Sequence, residues 1–105
     1  MEVIFEKEYL RVLYEKGKCS DKKHHYQPGV IRKYGDIINL MKRTHNVLGL
    51  CKYNSLRYES LKGDKLGLSS VRVNDQYRIE FEEHMKDGEV IATICNITDL
   101  SYHYK

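Results

Sequence analysis

The sequence predicts an α+β domain in which two helices pack on one small, mainly antiparallel β-sheet. Two segments in the first half of the chain repeat apolar side chains at helical spacing, and several runs in the second half alternate apolar and polar residues. A short apolar strand precedes the helices. This order of strand, helices and then strands is typical of helices packed against an antiparallel sheet. Because 105 residues form one core, residues 1–105 are predicted to be a single domain.

Both predicted helices have residues that favour their ends. Residues 8–16 place apolar side chains on one helical side, and Gly17 is suited to stop that helix. Pro28 is suited to open the next helix, since its missing N–H is not needed in the first turn. The second helix is expected to end near His45 and Asn46. Its apolar side is formed by Val30, Tyr34, Ile37, Ile38 and Met41.

The strands are predicted from short apolar runs separated by turn residues. Residues 47–55 are predicted to be an irregular connection that includes a short helical turn. The last run is apolar on both sides, which is typical of a strand in the middle of a sheet. The predicted strands are residues 3–5, 56–61, 68–74, 77–82 and 89–97.

The runs 68–74 and 77–82 are predicted to form a hairpin that carries one arginine on each strand. If their valine, isoleucine and aromatic side chains share the core face, Val73 pairs with Tyr77 and Arg72 lies opposite Arg78. Like charges directly opposite each other destabilise a hairpin. A role in binding an anion would explain why the two arginines are placed in this way. Two solvated arginines splayed apart on a wet sheet face would explain the same pattern, so the hairpin alone leaves both interpretations open.

Charge is distributed unevenly, although the net charge is only +3. Residues 1–56 hold 11 Lys/Arg against 6 Asp/Glu, whereas residues 57–105 hold 7 against 9. The basic half is mostly helical by pattern. Such a face attracts RNA or an acidic protein partner, and it is also what an ordinary solvated helix looks like.

Composition and cysteine spacing exclude several classes of protein. The three cysteines form no C-x-x-C pair, so neither a zinc site nor a disulfide framework is indicated. No apolar run approaches the roughly 20 residues of a membrane span, and no signal peptide is visible. The sequence therefore predicts a soluble cytoplasmic protein with no membrane partner.

The candidate functional residues are basic side chains near the hairpin and polar side chains after the last strand. No Gly-rich phosphate loop, H-E-x-x-H or G-x-S-x-G motif is present. The remaining set suits metal-free cleavage of RNA, in which His, carboxylate or Tyr groups move protons while Lys and Arg hold the phosphate. A frayed tail and a strand-end cap explain the terminal residues equally simply. The set comprises Lys62, Arg72, Arg78, Asp99, Tyr102, His103 and Tyr104.

The sequence resembles the HigB-type toxins of the RelE/ParE superfamily. The resemblance is carried by L-K-G-D at residues 61–64, S-V-R-V-N at 70–74, Y-R-I at 77–79 and the terminal Tyr102-His103. It implies a RelE-like α+β fold and a toxin of a type II toxin–antitoxin system. Such toxins cut mRNA in the 30S ribosomal A site without a metal or other cofactor. The implied partners are a HigA-like helix-turn-helix antitoxin, the ribosome and mRNA.

The resemblance also implies roles for individual residues. Lys62, Arg72 and Arg78 would bind the phosphate, and Lys62 and Arg78 would also count as catalytic. His103, preceded by Tyr102, would transfer protons. The matching acid stands directly before Tyr-His in the family, but Leu100 and Ser101 separate Asp99 from that pair here. The role of Asp99 as a catalytic acid is therefore left open.

Two other functions are compatible with this resemblance. A ParE-like relative would share the fold and inhibit DNA gyrase by binding, without any need for Lys62 or the terminal Tyr102-His103. An inactive paralogue would only bind the antitoxin.

Overall fold

The computed structural model describes residues 1–19 and 24–102 and has the predicted α+β architecture. Two α-helices pack on one face of a five-stranded sheet, with strand order β1-β5-β4-β3-β2. Among the described residues, no helix is long and apolar enough to cross a membrane. The elements are β1 (Glu2–Phe5), α1 (Glu8–Lys16), α2 (Pro28–Arg43), β2 (Glu59–Ser60), β3 (Leu68–Arg72), β4 (Tyr77–His84) and β5 (Ile94–Tyr102).

The helix ends follow from the residues that predicted them. Gly17 adopts a left-handed conformation with φ 67°, and its N–H donates to the Leu13 carbonyl at 3.1 Å. Pro28 occupies the first turn of α2, as predicted. This helix ends at Arg43, two residues before the predicted end, because Thr44 leaves the helical conformation while its N–H still donates to Leu40 at 3.0 Å.

The core lies between the helices and the sheet. Tyr34 on α2 is fully buried, and its hydroxyl donates to the Leu10 carbonyl on α1 at 2.8 Å, which fixes the two helices together. Burial without such a partner would leave the phenol unsatisfied at a cost of about 1–3 kcal/mol. The largest buried apolar side chains are Tyr34, Phe81, Leu10, Leu13, Ile38, Met41, Leu50, Ile79 and Ile97.

The sheet is antiparallel except for β1, which runs parallel to β5. The prediction that the last strand lies inside the sheet is confirmed, since β5 is flanked by β1 and β4. The predicted bounds of that strand, 89–97, are wrong. The Glu89 carboxylate accepts hydrogen bonds from the Lys86 N–H at 3.0 Å and the Thr93 hydroxyl at 2.6 Å, which holds the segment before Ile94 in a turn.

The strand predicted at residues 56–61 is shorter than expected. Asn54–Leu56 is a 3-10 turn, and Arg57 follows it in the left-handed region with φ 46°. Extended backbone therefore begins only after this kink, and β2 contains just Glu59 and Ser60. A further 3-10 turn, Gly63–Lys65, connects β2 to β3.

Candidate functional site

The arginine hairpin forms with the predicted register. Arg72 lies directly opposite Arg78 in the β3–β4 ladder, and the Val73 N–H donates to the Tyr77 carbonyl at 2.9 Å. The side-chain oxygen of Asn74 accepts hydrogen bonds from the next residues of the turn, including the Tyr77 N–H at 2.8 Å. The two arginines are thus on the sheet face opposite the buried valines and Phe81.

Each arginine of the pair is held by a different carboxylate. Arg72 is ion-paired with Asp75 inside the turn. Arg78 Nη1 donates to Glu59 Oε1 at 3.0 Å and lies 3.4 Å from the Ser70 hydroxyl. Each guanidinium group has its own carboxylate partner, which compensates the like-charge repulsion expected from the register.

Glu59 was not predicted as a site residue. It lies on β2, 19 residues before Arg78 in sequence, and its side chain is 51% exposed, against 15% for the arginine. The pairing of β2 with β3, and of β3 with β4, brings the two together. The carboxylate is accessible and lies beside the guanidinium, so it is placed within reach of a ligand bound at that cation.

Lys62 stands exposed where β2 leads into the 3-10 turn at Gly63–Lys65. The turn is tied to the sheet by Lys65, whose Nζ lies 2.5 Å from Glu80 Oε2 on β4. The Ser101 hydroxyl on β5 donates to the same carboxylate oxygen at 2.8 Å. The 3-10 turn at Gly63–Lys65, called the lysine turn below, and the end of β5 are therefore joined through the Glu80 side chain.

Asp99 is bonded to a helix and not to the basic residues predicted to share its site. The Tyr9 hydroxyl on α1 donates to Asp99 Oδ1 at 3.1 Å. Burial raises the pKa of Tyr9, and the neighbouring Asp99 carboxylate raises it further. This phenol therefore stays a hydrogen-bond donor, and Asp99 connects β5 to α1.

Tyr102 is the last described residue of β5 and lies opposite Tyr77. The two rings meet nearly perpendicular at a centroid distance of 5.3 Å, and Tyr102 remains 54% exposed. Tyr26 extends this contact, since its ring meets Tyr77 at 5.5 Å and its hydroxyl donates to the Leu100 carbonyl at 3.0 Å. The predicted His103, with Tyr104, lies outside the described residues.

The described part of the chain contains no group of three or more His, Cys, Asp or Glu side chains placed to hold a metal ion. Cys95 is fully buried in β5, and burial raises the pKa of its thiol to about 12. This thiol is therefore a small core side chain.

The overall arrangement matches known structures over nearly the whole chain. The fold is similar to that of YoeB/ParE toxins. A YoeB/ParE toxin from Agrobacterium tumefaciens covers 99% of this chain and all of its own, with 21% identity and a TM-score of 0.59. The YoeB–YefM complex from Staphylococcus aureus matches at 16% identity and a TM-score of 0.56, and a YoeB dimer from the same organism at 17% and 0.52. Each of these two covers 99% of this chain and 98% of its own.

Sequence comparisons add no closer assignment to this YoeB/ParE-like fold. No family model matches the sequence, and no curated protein matches it. The structural likeness shows the predicted α+β fold, while the assignment to the HigB-type toxins rests on the sequence resemblance. At this site Arg78 and Glu59 contact each other directly, and Arg72 lies on the adjoining strand. The two arginines can bind an anion, and the carboxylate lies close enough to exchange a proton with it.

Proposed function

We propose that this chain is the toxin of a type II toxin–antitoxin system and that it cuts mRNA in the ribosomal A site. The observation that carries the proposal is the ion pair of Arg78 with Glu59 on the sheet face away from the helices. It places a fixed cation and an accessible carboxylate on a fold similar to YoeB/ParE toxins. The chain would act in the cytoplasm, where ribosomes are found.

In the proposed reaction the 2′-oxygen of the RNA attacks the adjacent phosphorus and the bond to the 5′-oxygen breaks. The 2′-hydroxyl loses a proton, the leaving oxygen gains one, and the products carry a cyclic phosphate and a 5′-hydroxyl. No metal or other cofactor is needed for these transfers. Arg78, Arg72 and Lys62 would stabilise the charge that develops on the phosphate, as guanidinium groups do through paired N–H donors.

The proton transfers are assigned to His103, with Tyr102 beside it. Glu59 is a further candidate for accepting the 2′-hydroxyl proton, because its carboxylate already lies against the cation that would bind the phosphate. Asp99 remains a weaker candidate, since its carboxylate is bonded to Tyr9. A carboxylate that accepts a hydrogen bond from a buried phenol is better suited to hold β5 in place.

The proposed partner is an antitoxin, together with the ribosome and its mRNA. YoeB of Staphylococcus aureus has been crystallised with the antitoxin YefM, and the L-K-G-D resemblance favours a HigA-like helix-turn-helix protein here. Co-expression with the product of a neighbouring reading frame, followed by purification of the toxin, tests this pairing. Recovery of the toxin alone would contradict it.

Induction of the chain in cells tests the proposed activity. We expect growth arrest, and we expect Lys62→Ala or His103→Ala to relieve it without unfolding the protein. Lys16→Ala is the matched control, since Lys16 is an exposed lysine at the end of α1. Full toxicity in both folded site variants would remove this assignment.

A ParE-like gyrase inhibitor is the second candidate, since a YoeB/ParE toxin from Agrobacterium tumefaciens has a similar fold. An inactive paralogue that binds only the antitoxin is the third. A DNA supercoiling assay beside a ribosome cleavage assay separates the first two candidates. Absence of growth arrest together with antitoxin binding would indicate the third.

A further inference from the structure

Glu80 is the most buried acidic side chain on the sheet face that carries Arg78. It lies on β4 two residues beyond Arg78, and only 6% of the residue is exposed. A single carboxylate oxygen, Oε2, lies 2.5 Å from Lys65 Nζ and 2.8 Å from the Ser101 hydroxyl. Burying a carboxylate is costly unless it is paired and hydrogen-bonded, and here both partners come from other elements.

The two partners belong to the segments that carry the predicted site residues. Lys65 ends the 3-10 turn that begins directly after Lys62. Ser101 directly precedes Tyr102, the end of β5. Glu80 therefore lies at the junction of the turn that would hold the phosphate and the strand that leads to His103.

We propose that Glu80 is a positioning residue that fixes the lysine turn to the end of β5, so that the phosphate-binding and proton-transfer groups keep one geometry. The inference rests on the proposed function for its effect on catalysis. The mechanical link through Oε2 does not depend on that function. Small displacements of reacting groups are costly, since about 1 Å can lower a rate about 10²-fold.

Glu82 provides a matched control on the same strand and the same sheet face. It is bonded to Asn96 at 3.0 Å and to His84 at 3.3 Å. These partners lie toward the other end of the sheet and touch neither the turn nor Ser101. Glu82→Gln thus removes a carboxylate from the same face and leaves the proposed link intact.

Hydrogen exchange of the free toxin tests the mechanical link directly. The Leu66 N–H donates to the Gly63 carbonyl at 3.1 Å within the lysine turn. In Glu80→Gln this amide should exchange about tenfold faster than in the parent, because the turn loses its ion pair with the sheet. Lys65→Met removes the half-exposed lysine that is paired with Glu80. It should show the same increase in the exchange rate of the Leu66 amide, and it provides the test if Glu80→Gln does not fold.

Kinetics on mRNA-programmed ribosomes tests the positioning role. Lys65→Met and Glu80→Gln should lower kcat about 10²-fold with KM changed less than about twofold, whereas Glu82→Gln should change neither. The inference would be overturned if the Leu66 amide exchanged at the parent rate in Lys65→Met. It would also be overturned if a variant with faster Leu66 exchange kept a kcat within about twofold of the parent. A parent chain that never cleaves mRNA would overturn the proposed function and, with it, the catalytic role. Faster exchange would then still support the link.

Discussion

Arg78→Gln should abolish most of the proposed mRNA cleavage while leaving the protein folded. Arg78 is ion-paired with Glu59 at 3.0 Å, and its side chain is only 15% exposed, against 51% for the carboxylate. A hydrogen bond to a charged group contributes about 1.5–3 kcal/mol to stability, which is a fraction of the roughly 5–15 kcal/mol that keeps a small domain folded. Loss of a preorganised charge that stabilises a transition state costs about 10²–10³ in rate, or about 2.7–4 kcal/mol. The loss of activity can therefore be measured on a folded variant.

The assay is primer extension on mRNA recovered from ribosomes incubated with the purified chain, combined with thermal unfolding of each variant. Arg11→Gln is the matched control, because Arg11 on α1 is paired with Glu8 and Glu15 and lies far from β4 in sequence. It should keep full activity with only a small change in stability, since the Arg11 side chain is 42% exposed. Arg78→Gln that folds like the parent and cleaves at the parent rate would refute the phosphate-binding role.

Three further predictions follow from burial. Because burial raises the pKa of Cys95 to about 12, its thiol should resist alkylation at about pH 8, while exposed Cys51 should react. Mass spectrometry of the alkylated protein measures both, and equal labelling of the two cysteines in the folded chain would contradict the prediction. Tyr34→Phe removes the bond to Leu10 and should destabilise folding by about 1–2 kcal/mol in urea titrations; an unchanged midpoint would contradict it. Burial raises the pKa of Tyr34 and Tyr26, so the folded chain retains protons that the unfolded chain loses, and stability should fall as pH rises above about 10.

The elements that were predicted correctly are those whose signals are local. Helical spacing, Gly17 and Pro28 gave the bounds of α1 and the start of α2. Alternation of apolar residues, together with the turn at 74–76, gave the register that places Arg72 opposite Arg78. Each of these features depends on residues close together in sequence.

The features that were missed depend on contacts between distant residues. The apolar run from Val90 predicted a strand five residues too early, because apolar character does not report the turn that Glu89 caps. Glu59 gave no signal of its own, since the register of three strands brings it to Arg78. The bond from Tyr9 to Asp99 spans 90 residues, and no spacing rule predicts it.

The central claim is that this chain cleaves mRNA on the ribosome with the Arg78–Glu59 face of its sheet. The most direct measurement maps mRNA ends after the purified parent chain and Arg78→Gln are added to translating ribosomes. We predict new ends within A-site codons for the parent and a loss of about 10²–10³ in their rate of appearance for the variant. Intact mRNA with the parent chain, together with inhibition of DNA supercoiling by gyrase, would contradict the claim and favour a binding toxin.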